Sequence, residues 1–411
     1  MTPTLEADPD CARPEPAADD PGPPVAEAAE AAVPALRAER RLFDSIDPGT
    51  WDRLAARNPA ATPFSAWAFH RAWWDGYGDN AHDETIALGH GADAEPVAIA
   101  PLMHRHAVEP ADAETATQLR HGQPLALTPV APTAKAVYFG ASYHADYATL
   151  LAGPADLAAV TGALADAFAA ASPADLDPAH PEPWDVIDLR RLRLGDPAAE
   201  ALAAAFGARE IDCGWTLNLE REDVCPVVRI EPGADLETCL GLLPGKERHE
   251  IRRKVRRAEA VGPVELVEPA DPLAELDAFI DLHQRRWGDD GLFPQTRGGE
   301  QSRRFVRRLF ELFPSPLGTV HLTFLEVGGR RVAAAIHFET ADRLLFYNAG
   351  IDPDARALSP GVCLTERMLR RAIERGLTRL DFLRGNEPYK YDWGAVDEPI
   401  QRLLVRRTVQ R

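Results

Sequence analysis

The chain has 411 residues, 45% of them hydrophobic and 27% charged, which is enough apolar material for two or three globular units and excludes a chain disordered throughout. Its 45 Lys and Arg against 64 Asp and Glu give a formal net charge of -19, which argues against a general nucleic-acid binder. The imbalance is local: residues 1–225 hold 15 basic and 36 acidic side chains, residues 226–411 hold 30 and 28, so an anionic ligand belongs with the second half.

Residues 1–38 combine Pro, Ala, Asp and Glu with almost no large apolar side chain, so a disordered acidic tail is expected. From Leu42 the texture changes. Phe43, Trp51, Phe64, Trp67, Phe69, Trp73, Trp74 and Tyr77 supply bulk, and a first domain is expected over 39–222. Its predicted elements are strands at 85–88, 97–103, 136–139 and 147–151, an alanine-rich helix from Pro154, and a strand at 184–189.

A second domain, 223–411, begins with a strand at 227–230 and a helix from Asp235. A basic helix follows from Lys246 to about Ala260, ended by Gly262-Pro263. Then come a strand at 264–267 and helices at 272–287 and 300–313. The strands at 319–327, 331–340 and 344–351 are joined through Gly328-Gly329 and Ala341-Asp342, predicting an antiparallel meander. A helix over 360–375, a strand at 379–383 and a last strand at 400–406 complete the order. Both halves alternate helices and strands in a way that suggests an ancient duplication.

The cysteines at 11, 213, 225, 239 and 363 are odd in number and unevenly spaced, which predicts neither a disulfide framework nor a zinc knuckle. His104 and His106 have no Cys or carboxylate beside them, so no metal is expected. The first forty residues lack a secretory pattern, and the most apolar window, 155–171, is broken by Asp156 and Asp166. A cytoplasmic protein without a membrane span is the expectation.

The element order is similar to the GNAT acyltransferase fold. Thr62-Pro63-Phe64 through Trp67 to Trp73-Trp74, Leu282-His283 with Arg286-Trp287, Ser359-Pro360-Gly361 and the run from Asp381 to Tyr391 (DFLRGNEPYKY) resemble the cellulose-biosynthesis-associated (CelD/BcsL-type) GNAT family. The resemblance spans about residues 42–408 and is densest after Lys246. It implies an α/β (α+β) architecture of tandem GNAT-like domains, each a mixed, largely antiparallel sheet flanked by helices. The first domain would be degenerate, and the pair would be related to the Fem-type aminoacyl transferases.

An acyl-CoA donor carries a pyrophosphate, and a helix N-terminus with free amides and a positive dipole end suits it. Ser359 as N-cap, Pro360 at the first helical position and the side-chain-free Gly361 describe such a helix. The superfamily pattern Arg/Gln-x-x-Gly-x-Gly/Ala falls on Arg356, Ser359 and Gly361, with serine in place of its first glycine. Arg356, Ser359, Gly361 and Val362 are therefore the donor-site candidates, although Ser-Pro-Gly is also ordinary capping chemistry.

Acyl transfer to an amine needs a base, a donor to the carbonyl and an acid for the thiolate. Asp381 as base or orienter, Tyr389 as acid and Lys390 as hydrogen-bond donor are the candidates. Asp381 and Arg384 read equally well as salt-bridge partners. His283, Arg286, Trp287, Arg384 and Glu387 are the acceptor-contacting candidates. The basic helix, with seven cations and two acids between Lys246 and Arg257, is either a solvated face or a contact for donor phosphates, an anionic acceptor or tRNA. The expectation is an N-acyltransferase using acetyl-CoA or another acyl-CoA on a saccharide, peptide or other amine, without metal or nucleic-acid partner. The rivals are a Fem-like transferase using aminoacyl-tRNA and a non-catalytic GNAT-fold binding protein.

Overall fold

The computed structural model describes residues 35–91, 94–105, 127–131, 134–170 and 184–407. The tail expected over 1–38 lies outside the described residues as far as residue 34, as does His106. Arg37 and Ala38 belong to a strand and not to a tail.

The first half contains β1 (Arg37–Arg40), α1 (Pro48–Ala56), α2 (Trp67–Tyr77), β2 (Ala81–Asp83), β3 (Ile86–Gly89), β4 (Ala98–Ala100), β5 (Leu102–Arg105) and β6 (Ala136–Phe139). It continues with β7 (Leu151–Ala152), α3 (Leu157–Ala170), β8 (Val186–Arg193), α4 (Pro197–Gly207), α5 (Glu210–Cys213) and β9 (Trp215–Arg229). The second half contains α6 (Leu236–Gly241), α7 (Gly245–Glu259), β10 (Val264–Val267), α8 (Leu276–Trp287), α9 (Arg297–Leu312), β11 (Thr319–Val327) and β12 (Arg330–Glu339). It ends with β13 (Arg343–Ile351), α10 (Pro360–Glu374), β14 (Arg379–Asp381), α11 (Pro388–Tyr391) and β15 (Val396–Arg407).

Local chemistry starts these helices. Asp47 accepts from Thr50 N ahead of Pro48, and Asp196 accepts from Ala198 N ahead of Pro197, so each side chain covers an amide the helix leaves bare. Gly328 and Gly329, both at positive φ, make the tight β11–β12 hairpin. The expected 97–103 strand is two strands divided at Pro101: β4 joins a small sheet of order β1-β3-β4-β7, while β5 joins the large one. The expected 147–151 strand shrinks to β7.

Among the described residues the large sheet has eleven strands in the order β10-β11-β12-β13-β14-β9-β15-β8-β6-β5-β2. It reads the same way from its middle outward. β13 pairs in parallel with β14 and is joined to it through α10, as β6 pairs in parallel with β8 and is joined to it through α3. At the centre β9 lies against β14 and the last strand, β15, against β8, so each half ends on a strand of the other. β9 runs unbroken through residues 222 and 223. Mixed, mainly antiparallel strands flanked by helices are thus the architecture expected from the sequence.

Candidate functional site

β13 and β14 pair only over Arg343–Leu345 and Arg379–Asp381, after which they diverge. β13 runs on to Ile351, and its ladder with β12 skips Tyr347, a bulge that bends the strand. The chain leaves β14 through Leu383, at φ +57, whose N–H donates to Asp381 Oδ1 at 2.8 Å. Between the diverging ends lies a cavity of about 780 Å³. Phe346, Tyr347 and Ile351 of β13 form one wall, and Phe382, Arg384, Glu387, Tyr389 and Lys390 form the other. Gly361 and Val362 at the start of α10 close one end beside Lys246, Glu250 and Lys254 of α7, and His283, Arg286 and Trp287 come in from α8.

The start of α10 differs from the expectation in one respect. Ser359 precedes the helix but its side chain makes no capping bond; the residue sits in the left-handed region at φ +52, which turns its hydroxyl away from the helix amides. That hydroxyl accepts instead from Arg257 of α7, so the basic helix is laid against the helix start. Arg356 is exposed in the turn before it and does not line the cavity. Gly361 does, and a Cβ there would lie 3.3 Å from Ile351 Cδ1.

The three catalytic candidates occupy different settings. Asp381 is fully buried behind the cavity wall, where it accepts from the Tyr147 hydroxyl at 2.9 Å and lies 3.7 Å from Arg343. Burial raises its pKa to about 6 against the opposing pull of Arg343 and the Leu383 amide. Lys390 is buried at the cavity edge and donates to the carbonyls of Leu383, Arg384 and Gly385 at 3.1, 3.0 and 2.9 Å, with Glu387 Oε2 at 2.9 Å as counter-charge. All three ammonium protons are spent on its own loop. Tyr389 is half-exposed on the cavity, its ring edge-on to Phe382.

Among the acceptor candidates, His283 is buried beside Phe293, and burial pushes its pKa down to about 4, so it is a neutral imidazole at pH 7. Arg286 lies over the half-exposed Trp287 ring. Arg384 pairs with Asp146 at 3.2 Å.

Asp146 lines the cavity from the first half, and sequence reasoning missed it. It belongs to a loop whose side chains grip the second half in series: His144 meets Tyr347, Asp146 meets Arg384 and Tyr147 meets Asp381. The signal was the polar and aromatic run Ser142-Tyr143-His144-Ala145-Asp146-Tyr147, too rich in functional groups for a strand entry.

Residues 245–391 match the family model described as an acetyltransferase (GNAT) domain. Comparison with curated proteins finds no match. Among solved structures the chain is similar to FemX, at 12% identity over 87% of this chain and 96% of that one, with a TM-score of 0.53. A conserved protein of unknown function from Bacteroides thetaiotaomicron VPI-5482 gives 12% identity, 88% and 98% coverage and a TM-score of 0.50. A tandem GNAT protein from the clavulanic acid biosynthesis pathway gives 11%, 92% and 100%, and 0.45. At such identities the likeness is one of fold. Residues 245–391 are therefore similar to a GNAT acetyltransferase domain, within a fold similar to that of FemX.

Proposed function

We propose that this protein is an N-acyltransferase that moves an acetyl or other acyl group from acyl-CoA to an amine on a saccharide, peptide or cell-envelope precursor, as a member of the CelD/BcsL-type family. The observation that carries the reading is the meeting of the strand divergence, the start of α10 and the cationic α7 in one cavity. The donor pyrophosphate would take the Gly361 amide and the positive dipole end of α10, since Pro360 has no N–H and the Val362 and Cys363 amides bond the Ser359 carbonyl, with Lys246 and Lys254 as counter-charges. The thioester would lie between the apolar walls of Phe346 and Phe382, where low polarity strengthens any hydrogen bond to its carbonyl. Asp146 and Glu387, each paired with a cation (Arg384 and Lys390), offer an incoming amine hydrogen-bond acceptors at the acceptor end. An acyl-CoA donor agrees with the cytoplasmic location expected from the sequence, and no described helix is long and apolar enough to cross a membrane.

The proposal includes a division of labour between a first domain, 39–222, and a transferase domain, 223–411. In the first half the Arg57 guanidinium lies over Gly153 and pairs with Asp156 just ahead of α3, so a carboxylate and a side chain stand where α10 offers open backbone. That supports a supporting role for the first domain.

Calorimetric titration with acetyl-CoA tests the donor. The wild type should bind and Gly361→Trp should not, because the indole would fill the helix start. Equal affinities would move the pyrophosphate site elsewhere. The fold shared with FemX favours, as second reading, a Fem-like transfer from aminoacyl-tRNA. Such a donor would bind with an affinity that falls steeply with salt, through many phosphate contacts.

A further inference from the structure

Tyr347, the residue skipped by the β12–β13 ladder, lines the cavity and turns its hydroxyl toward the first half. The hydroxyl donates to the His144 carbonyl at 3.0 Å and lies 3.2 Å from His144 Nδ1. His144 is buried and stacked on Phe305 with ring centroids 4.2 Å apart, which fixes its plane. Its other nitrogen, Nε2, is 2.7 Å from the Tyr77 hydroxyl, which is 2.7 Å from Ser302 Oγ.

The protons along this path can be assigned from its far end. Ser302 Oγ donates its single proton to the Gly298 carbonyl at 3.0 Å, so the Tyr77–Ser302 bond uses the Tyr77 proton. With that proton committed, the Tyr77 oxygen accepts from His144, which requires the proton on Nε2. His144 Nδ1 is then the basic nitrogen, 3.2 Å from a Tyr347 hydroxyl whose resting proton is given to the His144 carbonyl. Burial first, with Asp146, Tyr77 and Tyr143 nearby and Arg384 opposing, holds the Tyr347 pKa well above the usual phenol range, so the resting form carries its proton.

We propose that Tyr347 is a catalytic residue that passes the acceptor amine's proton to His144, a positioning and proton-storing residue supplied by the first half. The inference rests on the acyl-CoA reading. As the amine nitrogen bonds to the acyl carbon, one N–H proton moves to the Tyr347 oxygen while the Tyr347 proton swings from the His144 carbonyl to His144 Nδ1. The C–S bond then breaks, and the proton returns from the imidazolium through Tyr347 to the departing thiolate. One proton has gone from amine to sulfur and no further reactant is consumed. The first half is thereby required for chemistry, although its own helix start is covered.

Two measurements test this. In the ¹⁵N imidazole spectrum of the full chain, His144 should show a protonated Nε2 and an unprotonated Nδ1; the reverse tautomer would overturn the relay. Thiol release from acetyl-CoA with benzylamine as acceptor should fall about 100-fold or more in kcat for Tyr347→Phe, the range of general acid–base catalysis, with acetyl-CoA affinity unchanged. His144→Asn keeps an acceptor for the Tyr347 hydroxyl but takes up no proton, so it should lose kcat similarly while the KM for benzylamine holds. Wild-type kcat in Tyr347→Phe, with acetyl-CoA bound normally, sinks the relay alone. A wild-type chain that does not bind acetyl-CoA sinks the donor reading and the relay with it.

Discussion

Lys390 brings a charge into a buried position and surrounds it with three carbonyls of its own loop. Lys390→Met keeps the stem and leaves those carbonyls and Glu387 without the ammonium, which should cost about 3 kcal/mol or more. Urea unfolding checks this, and an unchanged midpoint would refute the staple role. Asp381 makes the opposite kind of statement. Its folded pKa of about 6 lies above the ordinary 3.8, so the folded state prefers the protonated form. Stability from this group is present below pH 4 and is lost as pH rises through 6, by about 3 kcal/mol in all. Asp381→Asn should remove that part of the pH dependence; a variant with the wild-type slope between pH 4 and 7 would show that another group is responsible. The sequence reading puts Asp381, Tyr389 and Lys390 beside one strand end, and the structure has Tyr389 and Lys390 on the cavity with Asp381 buried behind its wall. The sequence could not tell which of them faced the cavity, because the turn at Leu383 breaks the alternation on which the reading depended.

At the scale of elements, α10 shows why a motif prefers the residues it does. Position 359 sits at φ +52, where a Cβ is crowded, so the glycine of the superfamily pattern is a backbone requirement at this point. Ser359→Gly should raise stability by roughly 1 kcal/mol, since the hydroxyl it removes caps nothing. A loss of stability would mean that the Arg257 contact matters more than the strain. The hairpin strands of the second half, such as 264–267 and 319–327, are legible to the residue because adjacent Gly and Pro code their turns, whereas α8 and β15 each start four residues from the expected position and α11 is not legible. The first half was less so. α1, α2 and α4 were passed over, since their aromatic and alanine-rich stretches read as bulk without a clear period. Trp51 and Trp73 are indeed fully buried core, as such stripes usually are.

The arrangement of the whole molecule follows from the exchange of β9 and β15. β15 closes the chain, yet Arg402 on it is buried against Asp188 of β8 with two bonds of 2.6 and 2.7 Å and against Glu220 of β9 at 3.2 Å. Leu403 and Val405 pack into the first-half core with Ile187, Phe206 and Trp215. A sequence boundary at 222/223 marks a change of charge and texture, and nothing local announces that a strand crosses it, because the partners of β9 lie 150 or more residues away on β14 and β15. Residues 223–411 expressed alone would keep Val227 and Val228 beside β14 but lose Trp215–Glu222 and all of β8. Arg402 would then keep its charge without the carboxylates that compensate it, a loss on the order of 3 to 5 kcal/mol, in addition to the exposure of Leu403 and Val405. That is a large share of the 5–15 kcal/mol by which a domain is ordinarily stable. The isolated second half should therefore be aggregated or unfolded, giving a collapsed amide spectrum. A dispersed spectrum with a cooperative melt from 223–411 would show that the exchanged strands are dispensable and that the two halves fold independently.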